Sequence, residues 1–134
     1  MRLLKWFGIF LVILIIVYFL GPQPSTPKYK NELPVVPPDA VQLEKYITNS
    51  ESKHKLKPDN EARIVWLNDS TKEKTDYAVV YLHGFSASQE EGDPVHREFA
   101  QKFGCNLYLA RLADHGVDTS NPLASYTAEK SWRS

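Results

Sequence analysis

The chain has 134 residues with 16 basic and 16 acidic side chains, so its formal net charge is zero. With no basic cluster and no aromatic residues interleaved among lysines, it lacks the footprint of a nucleic-acid binder. Its single cysteine, Cys105, excludes an internal disulfide. No His/Cys/carboxylate group has zinc spacing, and neither a phosphate loop nor a dinucleotide glycine pattern is present, so no metal or other cofactor is expected.

Residues 1–20 form the first element. From Trp6 to Leu20 there is no charge, and Arg2 and Lys5 precede the run. A helix over residues 3–20 reaches about 27 Å, close to the hydrocarbon thickness of a bilayer. A cleaved signal peptide and an uncleaved anchor both fit this pattern. The run ends Tyr18-Phe19-Leu20-Gly21-Pro22 with no A-x-A cleavage site, which favours a single-pass transmembrane anchor. The bilayer is therefore the first expected partner. Arg2 and Lys5 place the N-terminus in the cytoplasm and the following domain on the extracytoplasmic side, although Lys28 and Lys30 weaken that bias.

Residues 21–38 hold six of the nine prolines and read as a stiff, extended linker rather than a packed element. The remaining residues, 39–134, read as one α/β unit. Residues 39–52 make an amphipathic helix capped by Asp39, with Gln42 placed to complete a capping box, and Ala40, Leu43, Tyr46 and Ile47 on one face. Residues 54–60 are polar and contain Pro58. Residues 63–67, RIVWL, read as an early strand, joined by a hairpin-type connection over 68–75 to a second strand at 77–82. That second run is entirely apolar or aromatic, the pattern of a strand buried on both faces.

The second strand breaks into His83-Gly84-Phe85-Ser86. After a short polar loop, Asp93 is the expected cap of a helix with Pro94 in its first turn. Val95, Phe99, Phe103 and Ala100 share its apolar face, and Gly104 fits the left-handed position that ends it. Residues 105–110, CNLYLA, give a third strand in which Cys105 is a buried structural thiol. Strand, helix and strand over so short a span predict a βαβ unit with a parallel pair and a right-handed crossover. The third strand runs into Arg111-Leu112-Ala113-Asp114-His115-Gly116. Residues 126–134 begin a further helix with Thr127 as its cap.

The HGFS loop resembles the oxyanion-hole segment after the third strand of the α/β-hydrolase superfamily, and RLADHG is similar to the loop after the fourth strand in its lipase- and esterase-like members. Asp114 stands where glycine is usual in that loop. The resemblance covers about residue 63 onward and implies a partial α/β-hydrolase fold, the first strands and first helix of a mostly parallel sheet. It implies that the Phe85 N–H is one oxyanion donor, with His83 and Gly84 forming the oxyanion loop. It further implies that His115 and Gly116 shape the mouth of a pocket for a small acyl or ester substrate. A plain strand-to-loop turn, with the histidine bonded to its own backbone, is the other reading of His83-Gly84.

Nucleophilic catalysis in this family needs a G-x-S-x-G elbow followed by an acid and a histidine. No serine here is flanked by glycines at that spacing, and His54, His83, His96 and His115 all precede the expected elbow position. The chain therefore reads as the N-terminal portion of a membrane-anchored serine hydrolase, ending before the nucleophile elbow and inactive alone. Such a portion is expected to expose a bare sheet edge and apolar surface. His54 and His96 are expected at the surface. The alternative is a membrane-tethered, non-catalytic α/β module that binds a partner or a small acyl ligand.

Overall fold

The computed structural model describes residues 2–23 and 26–134. Met1 of the expected anchor and Pro24 and Ser25 of the expected linker lie outside the described residues. The order of elements is α1 (Arg2–Leu20), α2 (Ala40–Glu51), β1 (Arg63–Val65), β2 (Ala78–Tyr81), a 3-10 turn (Gln89–Gly92), α3 (Val95–Lys102), β3 (Asn106–Leu109) and α4 (Ala128–Arg133).

Helix α1 is apolar all round and buries none of its residues, and it is long and apolar enough to cross a membrane or to serve as a signal sequence. Helix α2 starts where its cap predicts, with Asp39 Oδ1 accepting from the Gln42 N–H at 2.9 Å. Its apolar face of Ala40, Leu43, Tyr46 and Ile47 turns toward Ile64 and Tyr108 of the sheet across a cleft of about 730 Å³.

The sheet has three strands in the order β1-β3-β2. Strand β3 lies in the middle, parallel to β2 (Val79 opposite Leu107) and antiparallel to β1 (Ile64 opposite Tyr108). The parallel pair joined through α3 is the βαβ unit that the sequence predicts. The hairpin expected between β1 and β2 is not formed, because β3 is inserted between them. The β1–β2 connection instead crosses the start of β3, where the Asn106 side chain holds it in place. Asn106 Oδ1 accepts from the Leu67 N–H at 2.9 Å, and Nδ2 donates to the Glu73 carbonyl at 2.9 Å.

The two faces of the sheet differ. On one, Leu107 and Leu109 are almost fully buried with Cys105 and Ala100, and Val65, Val79 and Tyr81 pack around them. The small Ala100 lets α3 approach β3 closely. This corrects two expectations. Val95, Phe99 and Phe103 are between 51% and 69% exposed, and it is Ala100 and His96 that α3 buries. Nothing among the described residues covers the larger apolar side chains, so helix periodicity alone points to the wrong stripe. Asp93 does not cap α3 either. The helix has no side-chain cap, and Asp93 pairs with Arg97 Nε at 2.9 Å.

Strand β2 is likewise not buried on both faces. Ala78 and Val80 are exposed while Val79 and Tyr81 are half-buried, because Val79 and Tyr81 face the cluster under α3 and Ala78 and Val80 face the opposite, more open side of the sheet. Tyr77, Val80 and Leu82 leave apolar surface open at this edge, in line with the expected bare edge. Gly104 takes the left-handed φ of +64° expected at the end of α3.

Candidate functional site

The carboxyl ends of the parallel strands β2 and β3 point the same way, so the loops that follow them, 83–88 and 110–118, emerge side by side. Two histidines join these loops reciprocally. The His83 Nδ1–H donates within its own loop to the Gly84 carbonyl at 2.9 Å, while its Nε2 accepts the Leu112 N–H of the other loop at 3.2 Å. His115 mirrors this arrangement. Its Nδ1–H donates to the Ala113 carbonyl at 2.8 Å and its Nε2 accepts the Ser86 N–H at 3.0 Å. Each N–H presented to Nε2 requires an acceptor there, which assigns the hydrogen to Nδ1 in both rings. The imidazoles lie 5.0 Å apart between ring centres, and both are buried. The histidine of HGFS therefore does bond its own backbone, and it also binds the second loop.

Backbone geometry explains the remaining loop residues. Gly84 gives its N–H to Glu91 Oε2 at 2.7 Å, and a Cβ there would lie 3.1 Å from that oxygen. The missing side chain thus permits close approach of the carboxylate from the 3-10 turn. Ser86 has a φ of +63° and Asp114 one of +60°. Aspartate is among the few side chains that adopt a left-handed φ readily. Gly116 has a φ of +66°, and a Cβ on it would come within 2.7 Å of Asn60 Cβ.

A buried ion pair holds the second loop from below. Arg111 reaches Glu51 at the end of α2, with Nε to Oε2 at 2.7 Å and Nη2 to Oε1 at 3.0 Å, and both side chains are nearly enclosed. Two planar groups meeting through two parallel hydrogen bonds fix orientation as well as distance. Glu51 Oε2 also accepts the Ala62 N–H at 2.9 Å, and Arg111 Nη1 donates to the His115 carbonyl at 3.2 Å. The polar segment 54–60 adds a short antiparallel bridge, Leu56 opposite Val117, with the Lys57 N–H donating to the Gly116 carbonyl at 2.8 Å.

Helix α4 closes the other side. Thr127 caps it as expected, and Lys130 reaches Asp114 Oδ2 at 3.0 Å while Ser125 Oγ donates to the same oxygen at 3.1 Å. The Lys130 ammonium, and after it the Ser125 hydroxyl, hold the Asp114 carboxyl below the ordinary aspartate range. Phe85 rests edge-on against His115 and Tyr126, with ring centres 5.7 and 5.5 Å away, and is itself 69% exposed. Beside this aromatic group lies a cavity of about 310 Å³ bordered by Ser86, Ser88, Asn60, Asp114, His115 and Gly116.

His83, Gly84, Phe85, His115 and Gly116 therefore come together in one place. The neighbouring Gly84 and Ser86 amides are engaged by Glu91 and His115, whereas the Phe85 N–H has no acceptor among the described residues. That leaves one backbone donor without an acceptor between two engaged neighbours. Sequence reasoning missed Glu51, Glu91 and Tyr126. A carboxylate followed much later by an arginine carries no local pattern, so no sequence signal marks the Glu51–Arg111 pair.

The histidine at 96 is a further correction. It is buried rather than at the surface, with Nε2 2.9 Å from the Gln89 carbonyl oxygen and its ring edge-on to Tyr81 at 4.7 Å. Burial, and then the negative charge of Glu91, push the Tyr81 hydroxyl above its ordinary pKa. His54 is exposed and Cys105 buried, both as the sequence predicts. Among the described residues no group of three His, Cys, Asp or Glu side chains is placed to hold a metal ion. Comparison with protein-family models, with curated proteins and with solved structures gives no match.

Proposed function

We propose that this chain supplies the oxyanion-loop portion of a membrane-anchored serine hydrolase acting on small acyl or ester substrates. The observation that supports the reading best is the unengaged Phe85 N–H between two engaged amides, on a loop pinned by His83 to the loop that carries His115. An oxyanion donor must be oriented before the negative charge develops, since a donor that has to reorganise stabilises the transition state less. On this reading Phe85 N–H is one donor, His83 and Gly84 set its direction, and the cavity beside His115 and Gly116 admits the substrate. The serine, acid and histidine of the reaction lie outside these 134 residues, and α1 anchors the whole in the bilayer.

The test begins with the coding sequence downstream of Ser134. A G-x-S-x-G motif shortly after it, followed by an acid and a histidine, is the expected finding, and its absence overturns the reading. Where the motif is present, the longer protein is expected to hydrolyse short-chain nitrophenyl esters while residues 1–134 alone do not. In that protein Phe85→Leu is expected to keep most activity. Phe85→Pro, which deletes the N–H, is expected to lose turnover by at least about 10²-fold. Folded Phe85→Pro enzyme within about threefold of the parent would remove Phe85 from the oxyanion role, since one lost donor costs far more than that.

The cleft of about 730 Å³ between α2 and the sheet favours a second reading, a tethered module that binds an acyl ligand without turning it over. Saturable binding of a fluorescent fatty acid, weakened by Leu43→Asp and accompanied by no hydrolysis in the longer protein, would establish it instead.

A further inference from the structure

The segment read as a stiff, extended linker meets α4 at one point. The Trp132 indole N–H of α4 donates to the Lys30 carbonyl at 2.9 Å, and the Tyr29 ring lies 5.3 Å from the Trp132 ring. The stretch between the end of α1 and α4 is therefore not the whole of residues 21–38 but residues 21–30. Fully extended, that stretch spans at most about 35 Å. At the rise of a polyproline helix the same number of residues spans about 31 Å. A folded unit of about 100 residues has a radius of gyration near 13 Å, so its diameter is about 34 Å. A route from the bilayer around such a unit to its far side is longer than the linker. The α4 end must therefore lie on the membrane-proximal half.

That end carries the chemistry of a membrane interface. Trp132 is 59% exposed, Phe85 69% and Tyr29 50%. Indole and phenol rings favour the headgroup layer, where one end of the ring is wet and the other apolar. Lys28, Lys30 and Arg133 lie in the same two segments, residues 28–30 and 127–134, where Glu129 is the one acidic residue. A modest positive surplus of this kind suits anionic headgroups. The surface is also continuous with the candidate site. Lys130 of α4 binds Asp114, the neighbour of His115, and Tyr126 packs on Phe85.

We propose that Trp132, Tyr29 and Phe85 form a second membrane contact, which lies flat on the lipid headgroups and turns the loops at 83–88 and 110–118 toward the bilayer. The partner is the lipid surface itself. The contact rests on α1 lying in the bilayer and is independent of the hydrolase reading. It deepens that reading in one respect, since a site facing the headgroups draws its substrate from the membrane rather than from bulk water.

Tryptophan quenching tests the proposal in the full chain. The chain is reconstituted into vesicles of phosphatidylcholine with a minority of phosphatidylglycerol, carrying a headgroup-linked nitroxide lipid. In a Trp6→Phe, Trp66→Phe background, emission reports on Trp132 alone. The headgroup nitroxide is expected to quench it at least about twofold more than it quenches Trp66 in the matching Trp6→Phe, Trp132→Phe chain, as an interfacial indole requires. Equal quenching overturns the proposal. Adding Phe99→Trp to the chain that lacks all three native tryptophans tests the rival exposed stripe on α3, and stronger quenching there than at Trp132 also overturns it. Should Trp66→Phe fail to fold by circular dichroism, Trp132→Phe in the Trp6→Phe background provides the second measurement. This surface change is expected to abolish at least half of the headgroup-quenchable emission that remains after Trp6→Phe, and an undiminished signal overturns the proposal. Flotation with the vesicles checks the anchor separately. Failure to float removes α1 from the bilayer and the proposal with it, whereas flotation with an unquenched Trp132 refutes the second contact alone.

Discussion

The loop end of this molecule and its outer sheet edge are built on opposite terms. At the loop end, polar groups of the two loops and their supports are paired: Glu51 with Arg111, His83 with Leu112, His115 with Ser86, Glu91 with Gly84. At the edge, Tyr77, Val80 and Leu82 of the β2 segment, and Val95, Phe99 and Phe103 of α3, stand in the open. Usually apolar burial orders a fold and polar loops hang from it. Here the enclosed apolar cluster is small, and directional hydrogen bonds fix the loops. The comparison teaches that order at the candidate site need not depend on how well the edge is covered.

The sharpest way to break this contrast is at the ion pair. Arg111→Met leaves the Glu51 carboxylate enclosed without its partner and is expected to cost about 3–5 kcal/mol of stability. Chemical denaturation of the chain in detergent, followed by tryptophan fluorescence, measures it. A cost below about 1 kcal/mol would mean that the pair behaves as a surface contact and does not organise the loop.

A smaller effect is expected at the histidines. His115→Phe keeps a planar ring but removes the acceptor of the Ser86 N–H, at a cost of about 1–3 kcal/mol. Because that loss is local, the Ser86 amide is expected to exchange with solvent at least about tenfold faster while amides in β3 hardly change. Uniform acceleration across the chain would show that the two loops and the sheet unfold together.

At Asp114 the expected effect is smaller still and depends on pH. Lys130 and Ser125 hold its pKa below the ordinary 3.8. A lowered carboxyl stabilises the fold above the unfolded-state value, and that contribution is lost as pH falls through the lower folded-state value. At neutral pH Asp114→Asn is therefore expected to cost under about 1 kcal/mol, since Lys130 is partly solvated. The difference between variant and parent should shrink as pH drops below about 4, in the window set by that aspartate. Denaturation midpoints across acid pH provide the measurement, and a gap that widens on acidification would contradict the assignment.

The least effect is expected at the edge. Phe99→Ser and Phe103→Ser should change stability by no more than about 0.5 kcal/mol, because neither ring is enclosed. They are also expected to reduce self-association in detergent, read by light scattering. A loss of several kcal/mol from either would show that the stripe is covered in solution.

How far the sequence could be read follows from the same contrast. The βαβ unit was legible because two apolar runs flank an amphipathic segment that ends in glycine. The caps of α2 and α4 were legible because Asp39 and Thr127 act on backbone a few residues away. The sheet order was not legible. Asn106, whose side chain bonds residues 67 and 73, looks like an ordinary polar residue opening a strand. Nor was the buried face of α3, since periodicity marks an apolar stripe without saying what meets it. At the site, the motifs brought His83, Gly84, Phe85, His115 and Gly116 into view. The reciprocal histidine bonds depend on two distant loops lying side by side, and no spacing encodes that.

The central position of β3 also has a consequence for synthesis. Strands β1 and β2 pair with β3 and not with each other. While the chain emerges from the ribosome, both strands wait without a ladder partner until residues 106–109 are out. Until then the chain carries two strands without a partner, a state prone to mispairing. Nascent chains stalled before residue 106 are expected to remain open to protease throughout residues 63–105, and chains stalled well beyond 109 to acquire protection at β1 and β2 together. Separate protection of either strand before β3 emerges would show that some other contact holds it first.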